Sequence, residues 1–90
     1  MKIRVASSLR GLCGGNSVIE AEGASVGDVL ANMSVAWPEL GAAVLENGTA
    51  LHRYVNVYLD DDDVRYLGTL AAPTSGFKEM SLLPAVAGGS

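Results

Sequence analysis

The sequence predicts a single α+β domain with one main helix laid across a mixed sheet of four to five strands. Three observations predict it. Apolar and polar residues alternate with a period of two near both ends of the chain and again in its middle. One clean helical stripe lies between Ser25 and Trp37. The resulting order, β-β-α-β-β-β, sets a hairpin before the helix and strands after it. The 90 residues leave room for one domain and no more. With 49% apolar and 18% charged residues, the chain is too apolar for a disordered tail and must build a core.

The first strand is Lys2 to Ser7, with Ile3 and Val5 on one face and Lys2 and Arg4 on the other. Gly11, Gly14 and Gly15 supply positive-φ positions for a turn, and Ser17 to Glu22 returns as the second strand of a hairpin. Ser25 is the N-cap of the helix, and the Asp28 carboxylate favours the positive end of its dipole. Val26, Val29, Leu30, Met33 and Trp37 then form one apolar stripe, read as core. Pro38 stops or kinks this helix, and a shorter helical piece is expected from Pro38 to Glu46, closed by Asn47-Gly48.

Leu51 to Leu59 is the strongest strand signal. Leu51, Val55, Val57 and Leu59 share one face; His52, Tyr54, Asn56 and Tyr58 share the other. Asp60 to Asp63 reads as a turn, and Val64 to Leu67 as the second arm of a hairpin. Ala71 to Gly76 is turn-like. Met80 to Val86 is the last strand, with Met80 and Leu82 inward and Pro84 confined to a strand end or edge because it lacks an amide hydrogen. The domain is expected over residues 1–86, with residues 87–90 as a flexible C-terminal Gly-Gly tail.

Composition excludes several functions. Ten acidic residues against six basic ones give a net charge of −4, which repels phosphate backbones and argues against a nucleic-acid partner. One cysteine cannot form an internal disulfide framework, a cysteine zinc site or a four-cysteine iron–sulfur cluster. One histidine leaves little means for acid–base chemistry near neutral pH. The N-terminus alternates charge with apolar residue, unlike a signal peptide, and no stretch approaches the roughly 20 apolar residues that span a bilayer. A cytoplasmic protein without a membrane partner is expected, its free Cys13 suited to a reducing compartment and its two glycosylation-like triplets, at Asn32 and Asn47, unused.

The side-chain signals for chemistry are weak. Asp60-Asp61-Asp62-Asp63 is followed by Val64-Arg65-Tyr66, without the alternate ligands, central glycine and closing glutamate of a calcium loop, so it reads as a solvated turn. No metal site is expected. Cys13 and His52 have no spacing that supports a nucleophile–base pair. The face carrying His52, Tyr54 and Tyr58 is a better candidate, for binding: exposed sheet faces seldom carry aromatics, and tyrosine is favoured at interfaces. Ordinary packing beneath a loop is the competing reading.

The chain then ends Ala85-Val86-Ala87-Gly88-Gly89-Ser90. A loose end is one reading of this segment. The other is that the tail is the reactive group, because a glycine pair has no side chains and threads a narrow channel. A terminal glycine carboxylate is ionised at neutral pH and is a poor electrophile until adenylation supplies a leaving group.

Leu51-His52-Arg53-Tyr54-Val55-Asn56-Val57-Tyr58, then Asp61-Asp62-Asp63-Val64-Arg65-Tyr66, then Leu82-Leu83-Pro84-Ala85-Val86-Ala87-Gly88-Gly89 together resemble the ThiS/MoaD sulfur carriers, and within that family most of all the carrier of cysteine biosynthesis. The resemblance covers nearly the whole chain, weakly over Arg10 to Ala24. It implies a β-grasp, ubiquitin-like fold and a protein that is not an enzyme but a sulfur-donating co-substrate. A ubiquitin-activating-type adenylating enzyme would use ATP on Gly89, next to Gly88, and sulfur would displace AMP to give a thiocarboxylate. No cofactor would be bound by the carrier itself.

The implied partners are that adenylating, sulfur-transferring enzyme, a sulfur-acceptor synthase of the cysteine-synthase or thio-metabolite kind, and a zinc metalloprotease acting at the tail. Ala87, His52, Tyr54 and Tyr58 would touch them. Ser90 departs from the pattern, since active carriers end at the second glycine. Either a peptidase removes Ser90 or it is an addition to the native chain. Gly76-Phe77-Lys78 departs as well, lacking the aspartate that relatives carry after the glycine. The small subunit of molybdopterin synthase and a non-catalytic ubiquitin-like interaction module are the alternative functions. The plant-type ferredoxin, another β-grasp protein, is excluded by the single cysteine.

Overall fold

The computed structural model describes residues 1–85; the expected end of the last strand at Val86 and the tail residues Ala87, Gly88, Gly89 and Ser90 lie outside the described residues. In chain order the elements are β1 (Lys2–Val5), β2 (Val18–Glu20), α1 (Val26–Ala36), α2 (Pro38–Val44), β3 (Leu45–Glu46), β4 (Ala50–Leu51), β5 (Val55–Leu59), β6 (Asp62–Asp63) and β7 (Glu79–Pro84). Short 3-10 helices occupy Ser7–Cys13, Val64–Tyr66 and Thr69–Ala71. The sheet order is β2-β1-β7-β5-β6, and β3-β4 form a separate ribbon. Of the strand pairs in the large sheet, β1 and β7 run parallel and the others antiparallel, so the expected mixed β-grasp sheet is present.

Register explains the core. Ile19, Ile3, Met80 and Leu59 form one row across the sheet, and Val5, Leu82 and Val57 the next; all seven are buried. The period of two in β1 and β7 therefore points where the sequence predicts. Against this face lies α1, whose Val26, Val29, Leu30 and Met33 are buried. Each such side chain contributes about 2 kcal/mol of transfer free energy. Ser25 caps the helix as expected, its Oγ accepting the Asp28 amide hydrogen at 3.2 Å. Pro38 closes α1 and opens α2, where its missing amide hydrogen is no loss.

Several expectations require correction. Trp37 is only partly buried, its ring against Gly14, so the apolar stripe leaves the core at its last member. The Gly11–Gly15 stretch is not a simple hairpin turn: Ser7–Cys13 coils into a 3-10 helix that buries Cys13. The second helix ends at Val44, because Leu45 turns extended and pairs with Leu51. Asn47 and Gly48, both at positive φ, make the turn of the β3-β4 ribbon, not a helix cap. Only Asp60 and Asp61 form the acidic turn; Asp62 and Asp63 pair with Leu59 and Tyr58. The hairpin arm expected at Val64 to Leu67 is instead a one-turn helix, started by the Asp63 carboxylate accepting the Arg65 amide hydrogen at 2.9 Å.

The two helices approach closely at Gly41 and Ser34. A Cβ on Gly41 would overlap the Ser34 Oγ and Cβ. Gly41→Ala is expected to lower the unfolding free energy by about 1–3 kcal/mol in urea titration, although alanine is the better helix former. Ser34→Gly in the same chain should recover part of the loss. Unchanged stability in the single variant would show that the helices part freely.

Candidate functional site

Helices cover one face of the sheet, and the other stays open. Register places Val18, Arg4, Ser81, Tyr58 and Asp63 in one row across that open face, with Leu83 and Asn56 in the row beside it. Glu20, Lys2 and Glu79 form a third row. Val18 on the edge strand β2 and Leu83 on the central strand β7 leave 40% and 41% of their surface in water. Arg4 Nε donates to Glu79 Oε2 at 2.7 Å, an exposed pair of little energetic weight. A shallow depression of about 350 Å³ opens among Arg4, Arg10, Val18, Ser81 and Leu83.

Tyr58 sits in this face, between Ser81 and Asp63. His52 and Tyr54 do not share its strand. The long strand expected from Leu51 to Leu59 is broken at His52–Tyr54, and β5 begins at Val55. Tertiary bonds override the high strand propensity of this stretch. Arg65 Nη2 donates to the carbonyl oxygens of Val55 at 3.0 Å and His52 at 3.4 Å, and Nη1 donates to Asn56 Oδ1 at 3.0 Å. The Tyr54 amide donates to His52 Nδ1 at 3.3 Å. The rings of His52 and Tyr54 lie 5.5 Å apart, and the Arg53 guanidinium carbon stands 5.0 Å from the centre of the Tyr54 ring. Of the four predicted contact residues, Ala87 lies outside the described residues, and the other three occupy two places: Tyr58 within the open face, His52 and Tyr54 in the turn before β5.

That turn also holds the end of the last strand. The Ala85 amide hydrogen donates to the Tyr54 carbonyl at 2.7 Å, one residue past β7 and two before the tail residues 87–90. Sequence alone did not mark Arg65, whose acceptors are mostly backbone carbonyls. Arg4, Ser81 and Leu83 were legible as the outward partners of alternations whose inward residues were read correctly; Val18 was not, because its strand alternates less cleanly. At the other end of β7, the Asp60 carboxylate accepts the amide hydrogens of Lys78 and Glu79, at 3.2 and 3.1 Å through Oδ1. Cys13 is buried, its Sγ donating to the Asn16 carbonyl at 3.4 Å. No group of three His, Cys, Asp or Glu residues suited to a metal ion occurs among the described residues. No helix there is long and apolar enough to cross a membrane.

Residues 3–89 match the model of the ThiS family. The sulfur carrier protein CysO of Mycobacterium tuberculosis is 32% identical over 89 residues, which cover 97% of this chain and 96% of the relative. Among solved structures, M. tuberculosis CysO superposes with a TM-score of 0.85 at 29% identity, covering 94% of this chain and 98% of that one. CysO in the BexX/CysO complex of Amycolatopsis orientalis gives 0.87 at 34% identity, with 98% of each chain covered. The small archaeal modifier protein 1 of Methanosarcina acetivorans gives 0.82 at 26% identity, covering 98% of this chain and 94% of that one.

Tyr58 projects from the open face and belongs to no buried row. Tyr58→Glu should therefore leave the domain folded, costing no more than about 1 kcal/mol in thermal or urea unfolding, chiefly from a carboxylate set opposite Asp63. A larger loss would place the ring in the core.

Proposed function

The chain belongs to the ThiS family and is a homologue of the sulfur carrier CysO, and from that premise we propose that its C-terminal glycine carries sulfur as a thiocarboxylate for the synthesis of cysteine or a related thio-metabolite. One observation supports this most directly: the family match runs to residue 89, through Gly88 and Gly89, so the shared pattern includes the tail as well as the domain. Sulfur carriers of this kind are carrier proteins rather than catalysts. The domain serves as the handle by which partner enzymes hold a backbone carboxyl.

Three steps follow. Ser90 is first removed by a peptidase, of which a zinc metalloprotease is one candidate, because Gly89 in peptide linkage has no free carboxylate. A Gly89 carboxylate oxygen then attacks the α-phosphorus of ATP on an adenylating enzyme, releasing pyrophosphate and leaving an acyl-adenylate. A sulfide-level nucleophile attacks the acyl carbon, the bond to the AMP oxygen breaks, and the thiocarboxylate remains. The carrier's own residues supply no proton transfer. They present the tail and the docking surface, where His52, Tyr54, Tyr58 and Ala87 meet the activating enzyme and a sulfur-acceptor synthase. The A. orientalis relative is held in a complex with BexX, and this chain is read as docking on an acceptor enzyme in the same manner.

Intact mass spectrometry tests the chemistry. With an activating enzyme of this family's type, ATP and sulfide, a chain ending at Gly89 should gain the mass of one sulfur in place of one oxygen. The chain that retains Ser90 should stay unchanged unless a peptidase is added. An unmodified Gly89 chain under conditions that load a known carrier would overturn the proposal. Deleting Gly88 to Ser90 should abolish loading; partner binding fully retained after that deletion, with no loading of the longer chain, would point to an interaction module instead.

Docking is tested separately. Tyr58→Glu should raise the KM for the activating enzyme severalfold, as expected when a charge enters a tyrosine contact. An unchanged KM would remove this face from the contact.

A further inference from the structure

The Arg65 side chain starts on the one-turn helix after β6 and reaches to the opposite end of β5. Its base is fixed, because its own amide hydrogen is held by Asp63 Oδ1 at 2.9 Å. The guanidinium then gathers acceptors from three residues, His52, Val55 and Asn56. The need for it follows from the sheet. β6 is two residues long and pairs only with Tyr58 and Leu59, so the first half of β5 has no strand neighbour on that side. A planar fork of donors takes the place of the missing strand, and charge-assisted bonds to carbonyl oxygens are the stronger kind. Lysine, a single point charge, does not reproduce that fork.

Between His52 and Val55 lies Tyr54, whose carbonyl accepts the Ala85 amide hydrogen at 2.7 Å. Ala85 is the last described residue, two before the Gly-Gly tail segment that begins at Ala87. We infer that Arg65 is a positioning residue: by clamping the His52–Asn56 segment it fixes the carbonyl that anchors Ala85, and so sets the point and direction from which the Gly-Gly tail is offered to a partner enzyme. In its functional consequence this rests on the sulfur-carrier reading; the clamp and anchor stand on the hydrogen bonds alone. The clamped segment also carries His52 and Tyr54, so some effect on encounter is expected; the effect that marks positioning is on the chemical step, because the anchored Ala85 leads into the residues that carry the acyl carbon. A displacement of about 1 Å at a reacting group is enough to cost about 100-fold in rate.

Two measurements on Arg65→Ala and Arg65→Lys test it. The first is amide hydrogen exchange of the isolated full-length protein, which needs no enzyme. Ala85 exchange should quicken about tenfold or more in both variants, while Val57 and Leu82 in the core change less than about twofold. Equal Ala85 exchange in wild type and variants would overturn the clamp. The second is ATP–pyrophosphate exchange on the activating enzyme with chains ending at Gly89. Both variants should lose about tenfold in kcat, whatever rise in KM the loosened His52 and Tyr54 add. A rise in KM with kcat preserved would overturn the positioning role and move Arg65 to the docking surface. If the wild-type chain supports no pyrophosphate exchange, the sulfur-carrier reading fails, and the hydrogen-exchange result still decides the clamp. Arg65→Lys keeps the charge and stem, so it reports on the fork even if the alanine variant folds poorly.

Discussion

The parallel pairing of β1 with β7 is the constraint on which the rest of the molecule depends. It joins the first strand of the chain to the last described one, in the middle of a five-stranded sheet. Parallel neighbours cannot be joined by a tight turn, so the intervening chain must cross over, and here the crossover carries α1 and α2. Those helices cover one face of the sheet. The other is left to Arg4, Ser81, Tyr58 and their neighbours, so the open face proposed for docking follows from a purely topological requirement. The same pairing sets polarity: β7 runs in the direction of β1, so the chain leaves the sheet at the end where residues 6–17 cross.

Much of this was legible in the sequence, where a local rule had no competitor. Alternation in β1 and β7 gave inward and outward residues correctly, and Ser25 and Pro38 bounded α1 by their hydrogen-bonding chemistry. The misreadings share one physical cause. At His52–Tyr54 the strand propensity is high, yet a guanidinium from Arg65 and a ring nitrogen from His52 hold the backbone in a turn. At Asn47-Gly48 the same positive-φ preference suits a helix end and a ribbon turn, and only the pairing of Leu45 with Leu51 selects the latter. At Val64–Tyr66 the Asp63 side chain redirected an extended segment. Bonds to backbone carbonyls leave no residue pattern, so the contacts of Arg65 had no sequence signal beyond a lone arginine after an acidic run.

The candidate site divides along the same line. The Gly-Gly pattern proposed as its reactive end was visible in the residues, because it is a property of the chain itself. The surface that presents it emerges only when β1, β7 and β5 are laid side by side. Under the proposed chemistry the small stock of reactive side chains is an advantage. Cys13, the one thiol, is buried and bonded to Asn16, so no nucleophilic sulfur of the carrier's own is offered to an activated Gly89. A net charge of −4 also keeps the carrier from nonspecific association with nucleic acid.

The central pairing has a consequence for biosynthesis as well. During translation, Lys2–Val5 emerges well before Glu79–Pro84, so the middle of the sheet cannot close until the later strand has been made. Such long-range pairing delays folding until the far segment is free of the ribosome. An interrupted chain that stops short of β7 lacks both the strand that completes the sheet and the glycines that follow it. Completion of the fold therefore waits on β7, and the open face, whose central rows need β7 between β1 and β5, exists only once that strand is in place.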